Sequence, residues 1–269
     1  MDEESVTVER HGAVTLLTLN RPERLNAISH GLLRRLNAIL DDLLYDYSQR
    51  VVVLAGAGRA FCAGTDLKGQ AEGMRWVDGV GDIQARYALQ EAVGRTVVKV
   101  RRIPQPVIAA VHGVAAGGGL SLACAADLRI AEPGARFNAA FVKLGVSGGD
   151  LGSSWLLPRI VGFDKAAEIL YTGRDVDAAR ALEIGLVSTL VEEGDAVDVA
   201  IALGEEMCRL APFTTRATKS LLNLSRDGVS LEQMVEYENR TQIMMTATDD
   251  FREATTAFLE RRPAQFRDW

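Results

Sequence analysis

The apolar positions of the amino-terminal region change from a period of two to a helical period. Residues 5–10 alternate, His11-Gly12 marks a turn, and residues 13–19 are apolar and β-favouring. This pattern predicts a β-hairpin. A helix is predicted next, with Ser29 as its N-cap and a run of apolar residues on one face. That face consists of Leu32, Leu33, Leu36, Ile39, Leu40, Leu43 and Leu44.

Three short apolar runs follow, and none of them alternates. They are Val51 to Ala55, Val107 to Val111 and Leu128 to Ala131. Continuous runs of this length are typical of strands covered on both faces. A helical pattern over about 83–100 separates the first two, and another helix is predicted after Gly113. Alternation of strands and helices predicts an α/β fold built in layers.

The pattern becomes mainly helical after Asp177. Helices are predicted at about 178–184, 195–210, 214–225, 230–246 and 249–260, with one short strand at 185–190. Short helices that carry many apolar residues must pack against something large, such as another subunit. We therefore divide the chain into an α/β core, residues 1–195, and a helical region, residues 196–269, that we expect to mediate oligomerisation.

Composition limits the classes of partner. The chain has 269 residues, 48% of them hydrophobic, and a formal charge of −6, which does not suit a nucleic-acid surface. Its apolar runs are too short to cross a membrane. Three scattered cysteines predict reduced thiols, and the acidic amino terminus does not resemble a signal peptide. We expect a cytoplasmic protein with no nucleic-acid or membrane partner.

Several kinds of catalytic site do not fit the sequence. The three histidines, His11, His30 and His112, are far apart and show no metal-ligand spacing. The stretch "GVSGG" around Ser147 matches the nucleophile pattern of α/β-hydrolases, but that order of residues needs a histidine after the serine. All three histidines precede it, so the match is an accident unless another triad order applies. The glycine loops also lack the nucleotide-binding patterns.

Two glycine-rich junctions remain, each after a buried strand. They read "AFCAGTDL", residues 60–67, and "HGVAAGGGLSLACAADLRI", residues 112–130. Glycines before a helix let backbone N–H groups point into a cavity, and two such donors can bracket a carbonyl oxygen that gains negative charge. Close helix–strand packing would explain either loop alone, but it explains the pair less well.

At these motifs the chain resembles the enoyl-CoA hydratase/isomerase, or crotonase, superfamily. The likeness extends through "NRPERLNAIS", "GAGRAFCAGTDLK", "LLPRIVG", "AARALEIGLV" and "EATTAFLERRPAQF" and covers nearly the whole chain. It implies a superhelix of ββα units, a carboxy-terminal helical region that builds trimers or hexamers, and an acyl-CoA thioester as substrate. Coenzyme A then belongs to the substrate, and no tightly bound cofactor is expected.

The resemblance also implies roles for single residues. The backbone N–H groups of Thr65 and Gly118 are the expected oxyanion donors, and Gly117, which precedes the second of them, is expected to contact the substrate. Phe258 and Arg261 are expected to complete the CoA pocket from the carboxy-terminal helix of the same or a neighbouring subunit. The remaining CoA-binding positions are Arg24, Leu25, Ala27, Ala63, Asp66 and Leu67.

Two positions depart from the hydratases of this family, which use two glutamates. Ser121 and Phe141 stand there instead, and neither supplies a carboxylate for acid–base catalysis. Asp150, five residues before Trp155, resembles the catalytic aspartate of dienoyl-CoA and epoxyphenylacetyl-CoA isomerases. We therefore expect Asp150 to be the acid/base of an enoyl-CoA hydratase or isomerase. The alternative role for its side chain is to cap the following helix.

Other functions remain open at this point. The chain could bind acyl-CoA without catalysis, or hydrolyse or dehalogenate a CoA thioester with Asp150 as nucleophile. The acyl group is not readable, although Met74, Trp76, Phe141 and the pair Ala139-Ala140 are expected to shape its pocket. Residues 69–81, rich in glycine, are either a lid over that pocket or an ordinary surface crossing.

Overall fold

The amino-terminal hairpin and helix form as predicted. A computed structural model describes residues 3–71 and 76–267. Strands β1 (Val6–His11) and β2 (Val14–Leu19) are antiparallel and are joined by a turn at Gly12, where φ is +61°. The Ser29 hydroxyl accepts a hydrogen bond of 3.2 Å from the N–H of Leu32 and begins helix α1 (His30–Leu43). The apolar face of α1 is buried, except that Leu44 lies beyond the helix and is exposed.

A six-stranded sheet forms the centre of the core. After the hairpin come β3 (Val51–Gly56), β4 (Val107–Val111), β6 (Leu128–Ala131) and β9 (Thr189–Leu190). The order is β1-β2-β3-β4-β6-β9, and every pair after the hairpin is parallel. All residues of β3 and β4 are buried, which confirms the prediction of strands covered on both faces.

Helices cover the two faces of this sheet. One face packs in a large apolar cluster with α1, α3 (Asp82–Arg102) and α4 (Gly118–Ala125). The other packs against α8 (Ala196–Met207) through Ala196 and Ala200. A Cβ on Gly204 of α8 would lie 3.1 Å from a methyl group of Val14, so small residues bring this helix close to the sheet. The predicted division at 195/196 thus falls immediately before a helix that packs on the core.

A second sheet is too short for the hydrophobic pattern to reveal. It consists of β5 (Val114–Ala116), β7 (Arg136–Asn138) and β8 (Val176–Asp177), with β5 and β7 parallel and β7 and β8 antiparallel. Strands of two or three residues do not complete one period of alternation. The small sheet matters because β5 leads directly into α4, and because Ala115 also pairs with Cys62 in the loop after β3.

The remaining helices include those predicted after Asp177 and others, before Asp177, for which no bounds were predicted. They are α2 (Leu67–Ala71), α5 (Ser153–Val161), α6 (Phe163–Thr172), α7 (Ala178–Glu183), α9 (Pro212–Arg226), α10 (Leu231–Thr246) and α11 (Asp249–Glu260). The strand predicted at 185–190 is wrong over its first four residues. Gly185 has φ +75°, and the N–H groups of Leu186 and Val187 both donate to the carbonyl of Ala181. These apolar residues therefore close a turn after α7.

The helices were also compared with the requirements for a membrane span. Within residues 3–71 and 76–267, no helix combines the length and the apolar character that crossing a membrane requires.

Candidate active site

The two glycine-rich loops come into direct backbone contact. A Cβ added to Gly64 would lie 2.7 Å from the carbonyl oxygen of Ala116 and 3.1 Å from the nitrogen of Gly118. One added to Gly119 would lie 2.0 Å from the carbonyl oxygen of Cys62. Such distances leave no room for a side chain, so glycine is required where these two segments meet. The contact places Thr65 and Gly118 on neighbouring segments.

The two predicted donors have N–H groups available for a ligand. Gly118 is the first residue of α4, where a backbone N–H has no partner inside the helix. Thr65 pairs with Ile28 in a short β-bridge, but the hydrogen bonds of that bridge involve its neighbours. The Ile28 N–H donates to the carbonyl of Gly64 at 2.7 Å, and the Asp66 N–H donates to the carbonyl of Ile28 at 3.1 Å. Across the described ranges, neither the Thr65 nor the Gly118 N–H donates a hydrogen bond within the protein.

Most predicted CoA-binding residues lie together beside these donors. The N–H of Ala63 donates to the carbonyl of Leu25 at 2.9 Å, which joins the loop after β3 to the segment before α1. Ala27 is buried in that segment, while Arg24 is exposed at its start. Leu67 is half exposed at the beginning of α2. One edge of the site therefore carries the positions that the resemblance implies.

Asp66 is already engaged by neighbouring groups. Its carboxylate pairs with the Arg21 guanidinium at 2.9 Å and accepts a hydrogen bond of 3.0 Å from the Gly69 N–H. Burial alone would raise the pKa of Asp66, but these hydrogen bonds and the charges of Arg21 and Arg24 lower it below its ordinary value. The side chain thus holds α2 and the preceding segment together.

Asn26 organises the same edge and was not singled out from the sequence. It is fully buried and left-handed, with φ +55°. Its side-chain oxygen accepts from the Arg21 N–H at 2.8 Å, and its amide donates to the carbonyls of Ala57 and Ala60 at 2.9 and 2.7 Å. The available signal was an asparagine among apolar residues after "RPER", which indicates a buried side chain. A buried asparagine needs several hydrogen-bond partners and therefore organises the backbone around it.

Phe141 and Ser121 line the interior near the second donor. The ring of Phe141 is buried, and its nearest carbon lies 3.4 Å from where a Cβ on Gly117 would stand. Gly117 has φ +52°, and its N–H donates to the carbonyl of Asn138 at 3.0 Å. Ser121 is fully buried in α4, and its hydroxyl approaches the carbonyl oxygen of Asp150 at 3.4 Å. The loop of Asp150 therefore adjoins the helix that begins at Gly118.

Asp150 does not cap the following helix. The N-cap of α5 is Gly152, and no side chain caps that helix. The Oδ1 atom of Asp150 accepts from the N–H of the next residue, Leu151, at 2.8 Å and from the side-chain amide of Gln90. Half-burial raises the pKa of Asp150 above its ordinary value, and these two hydrogen bonds oppose that rise. A carboxyl group in such surroundings is suited to exchanging protons.

Ser153 holds the loop that carries Asp150, and sequence reasoning missed it. This fully buried hydroxyl donates to the carbonyl of Gly148 at 2.7 Å and accepts from the Asp150 N–H at 3.1 Å. Ser147, by contrast, is exposed and accepts a hydrogen bond from the Gly149 N–H at 3.1 Å. The serine of the "GVSGG" stretch thus shapes its own turn.

The cysteines and acidic residues offer little other chemistry. Burial raises the pKa of Cys62 to about 12 and that of Cys124 to about 11, so neither is a thiolate near neutral pH. Among the residues that the structure describes, no group of three or more His, Cys, Asp or Glu could hold a metal ion.

Other predicted residues are exposed at the end of α11, lie beside α1 or fall outside the described ranges. Phe258 is 82% exposed near the end of α11, and Arg261 follows that helix with φ +54°, so this chain does not itself cover the phenyl ring. Trp76 lies edge-on to His30, with ring centres 5.4 Å apart, and beneath the guanidinium of Arg34. Met74 lies outside the described residues, and the lid over 69–81 stays a prediction.

Comparison with known proteins decides the family. The sequence matches the enoyl-CoA hydratase/isomerase family over residues 9–269. The chain belongs to this family. A probable enoyl-CoA hydratase, EchA12, of Mycobacterium leprae (strain TN) is 40% identical over 256 residues, 95% of this chain and 87% of the relative. The 1,2-epoxyphenylacetyl-CoA isomerase of Escherichia coli (strain K12) is 35% identical over 254 residues, 94% of each chain.

Solved structures agree on the fold. A probable enoyl-CoA hydratase/isomerase from Mycobacterium abscessus superimposes with a TM-score of 0.91 at 38% identity, covering 98% of this chain and 99% of that one. The architecture is therefore the mixed α/β crotonase fold with a helical carboxy-terminal region, as the motifs implied. The protein is an acyl-CoA enzyme of the enoyl-CoA hydratase/isomerase family.

Proposed function

We propose that the protein transfers a proton at a carbon near the thioester carbonyl of an enoyl-CoA, isomerising or hydrating it, with Asp150 as acid/base. The contact between Leu151 and Gly118 carries this proposal. A side-chain methyl group of Leu151 lies 3.2 Å from where a Cβ on Gly118 would stand, and the N–H of the same Leu151 holds the Asp150 carboxylate. A carboxylate and an oxyanion donor thus lie on touching segments.

The chemistry needs one carboxylate and two N–H donors. Asp150 removes a proton from a carbon of the acyl chain, and the electron pair moves onto the thioester oxygen. The Thr65 and Gly118 N–H groups stabilise that oxygen anion, helped by the positive end of α4. Protonated Asp150 then returns the proton to another carbon, which moves the double bond. Isomerisation is the better-supported branch because Ser121 and Phe141 supply no second carboxylate to activate water.

The substrate is proposed to lie across the two loops. Arg24 would contact a CoA phosphate, and Leu25, Ala27, Ala63 and Leu67 would border the rest of CoA. The buried ring of Phe141 would border the acyl group. CoA enters as part of the substrate, without a tightly bound cofactor. The relative from Escherichia coli is itself named an isomerase of a CoA ester, which supports this substrate class.

Assembly and location are part of the proposal. Because Phe258 is 82% exposed, a second copy of the chain is the better candidate for the CoA pocket that Phe258 and Arg261 would complete. We propose a homotrimer or a hexamer of paired trimers, working in the cytoplasm.

Replacement of Asp150 by Asn tests the function. We expect turnover of a panel of enoyl- and dienoyl-CoA esters to fall by about 10²- to 10⁴-fold, the usual contribution of a general acid or base, with CoA-ester binding retained. Asp164→Asn, an exposed position in α6, is the matched control. Undiminished turnover in the Asp150 variant would remove Asp150 from the mechanism.

Two further measurements separate the alternatives. Tight binding of CoA esters without exchange of their α-protons into deuterated water would indicate a binding protein. A covalent acyl adduct on Asp150, detected by mass, would indicate a hydrolase or dehalogenase. Proton exchange without an adduct is the expected result.

A further inference from the structure

We propose that Gln90 is a positioning residue for Asp150: from helix α3 it holds one carboxylate oxygen and leaves the other to carry the proton. This inference rests on the proposed acid/base role of Asp150. Gln90 is distant in sequence and belongs to none of the motifs by which the family is recognised. Its role follows from a single contact that the fold creates.

Both hydrogen bonds to the carboxylate end on the same atom. The Leu151 N–H and the Gln90 side-chain amide both donate to Oδ1 of Asp150. Over residues 3–71 and 76–267, no hydrogen bond or ion pair reaches Oδ2. An oxygen with two donors is the poorer proton acceptor, so the proton should bind to and leave from Oδ2. The two donors thus distinguish the oxygens.

The two donors are not equivalent, because they differ in what holds them. Leu151 is left-handed, with φ +48°, and belongs to the same loop as Asp150. Gln90 stands on α3, which is anchored by buried Val93 and Val97 and by a hydrogen bond of 2.6 Å from Asn37 to Thr96. Of the two donors to the carboxylate, Gln90 is therefore the one that ties the Asp150 side chain to a fixed helix, as positioning requires.

Among the described residues, no charged side chain is a cause of the pKa shift of Asp150. On α3, Glu91 and Arg95 form an ion pair of 2.7 Å. On α5, Arg159 stacks on Trp155 at 4.0 Å. Helix α4 contains no charged residue, since it reads "GGLSLACA". Burial therefore raises the pKa of Asp150, and the hydrogen bonds from Leu151 and Gln90 oppose that rise. Within the described ranges, no charged neighbour contributes to the shift.

The test compares Gln90→Leu and Gln90→Glu with wild type, using trans-3-hexenoyl-CoA and the full chain. Loss of a donor to the charged form raises the pKa of the carboxyl group. In Gln90→Leu, we expect the acidic limb of the kcat/KM profile to move to higher pH and kcat to fall about tenfold, with KM nearly unchanged. In Gln90→Glu, a second carboxylate should move that limb further in the same direction.

Gln84→Leu makes the same change on the same helix at another exposed position and should match wild type. An unchanged pH profile in both Gln90 variants, or a loss confined to KM, would overturn the positioning role. Asp150→Asn, assayed alongside, separates the two proposals. If that variant is inactive while the Gln90 variants behave like Gln84→Leu, only the Gln90 inference fails. If Asp150→Asn keeps full activity, the proposed function fails.

Discussion

The α/β core and the last three helices bury their apolar residues very differently. In the core, β3 and β4 are entirely buried and α1 buries six apolar residues. In α9, α10 and α11 the buried residues are few: Pro212, Lys219, Met234, Asp250 and Ala257. Leu231 and Ile243, by contrast, are 75% and 71% exposed. The core is therefore stabilised by its own packing, while these helices leave much of their apolar surface exposed.

Polar contacts attach helix α9 to the core. The buried ammonium of Lys219 on α9 pairs with Asp127 at 2.9 Å and donates to the carbonyl of Gln105 at 2.7 Å. Arg101 on α3 donates to the carbonyl of Asn223 and to Asp227, each at 3.2 Å. Such directional contacts fix where α9 lies without a large apolar interface. The two regions should consequently respond to different kinds of mutation.

The largest effect is expected from Gly119→Ala in the core. The new methyl group would lie 2.0 Å from the carbonyl oxygen of Cys62, so α4 and the loop after β3 must separate. We expect the free energy of unfolding to fall by about 3 kcal/mol, as for severe overpacking. Urea unfolding at one fixed protein concentration measures it.

Gly134→Ala is the control for that substitution, because a Cβ there meets no atom within 4 Å. It should change stability by no more than about 0.5 kcal/mol. Equal effects of the two alanines would contradict the close approach of the two loops.

A smaller loss is expected from Lys219→Met in the helical region. The substitution keeps the aliphatic volume but leaves Asp127 without its buried cation. Because the Asp127 side chain is 25% exposed and still accepts from the Val107 N–H at 2.7 Å, we expect about 2 kcal/mol, below the usual cost of breaking a buried pair. Limited proteolysis should show α9 released before the core unfolds.

Lys99→Met breaks an exposed pair with Asp41 and is the matched control. We expect about 0.5 kcal/mol or less from it, as for surface ion pairs. If Lys219→Met were equally mild, Lys219 would not attach α9 to the core.

The contrast also explains how far sequence reasoning reached. Periodicity identified α1 and the fully apolar strands because in these elements the apolar positions of the sequence are the positions buried in the core. The small sheet was not foreseen, since β8 has only two residues and its pairing is decided by tertiary contacts. The turn at 185–187 was read as a strand because its apolar residues, Leu186 and Val187, are buried. Burial, rather than extended backbone, produced that pattern.

The candidate site divides in the same way. The contact between the glycine loops was predictable because two backbones can approach so closely only where glycine leaves out the side chain. The role of Gln90 was not predictable, because Asp150 is 60 residues away in sequence. The residues around an exposed glutamine on a helix do not indicate whether the fold brings an aspartate beside it. Asn26 and Ser153 were missed for a related reason: their partners are backbone groups brought together only by the fold.

The smallest effect concerns Asp150 and stability. Burial raises the pKa of this carboxyl group in the folded protein above its ordinary value of 3.8. Between the two pKa values the folded protein binds more protons than the unfolded chain, so this group's contribution to stability falls as pH rises.

Asp150→Asn removes that titration. Its melting temperature should therefore exceed that of wild type at pH 7 and approach it near pH 3, where the carboxyl group is protonated in both states. A difference independent of pH would mean that the ionised carboxylate is not disfavoured by the fold. The expected gain would show that, unlike the exposed apolar faces of α9–α11, the core holds a group suited to chemistry at the expense of stability.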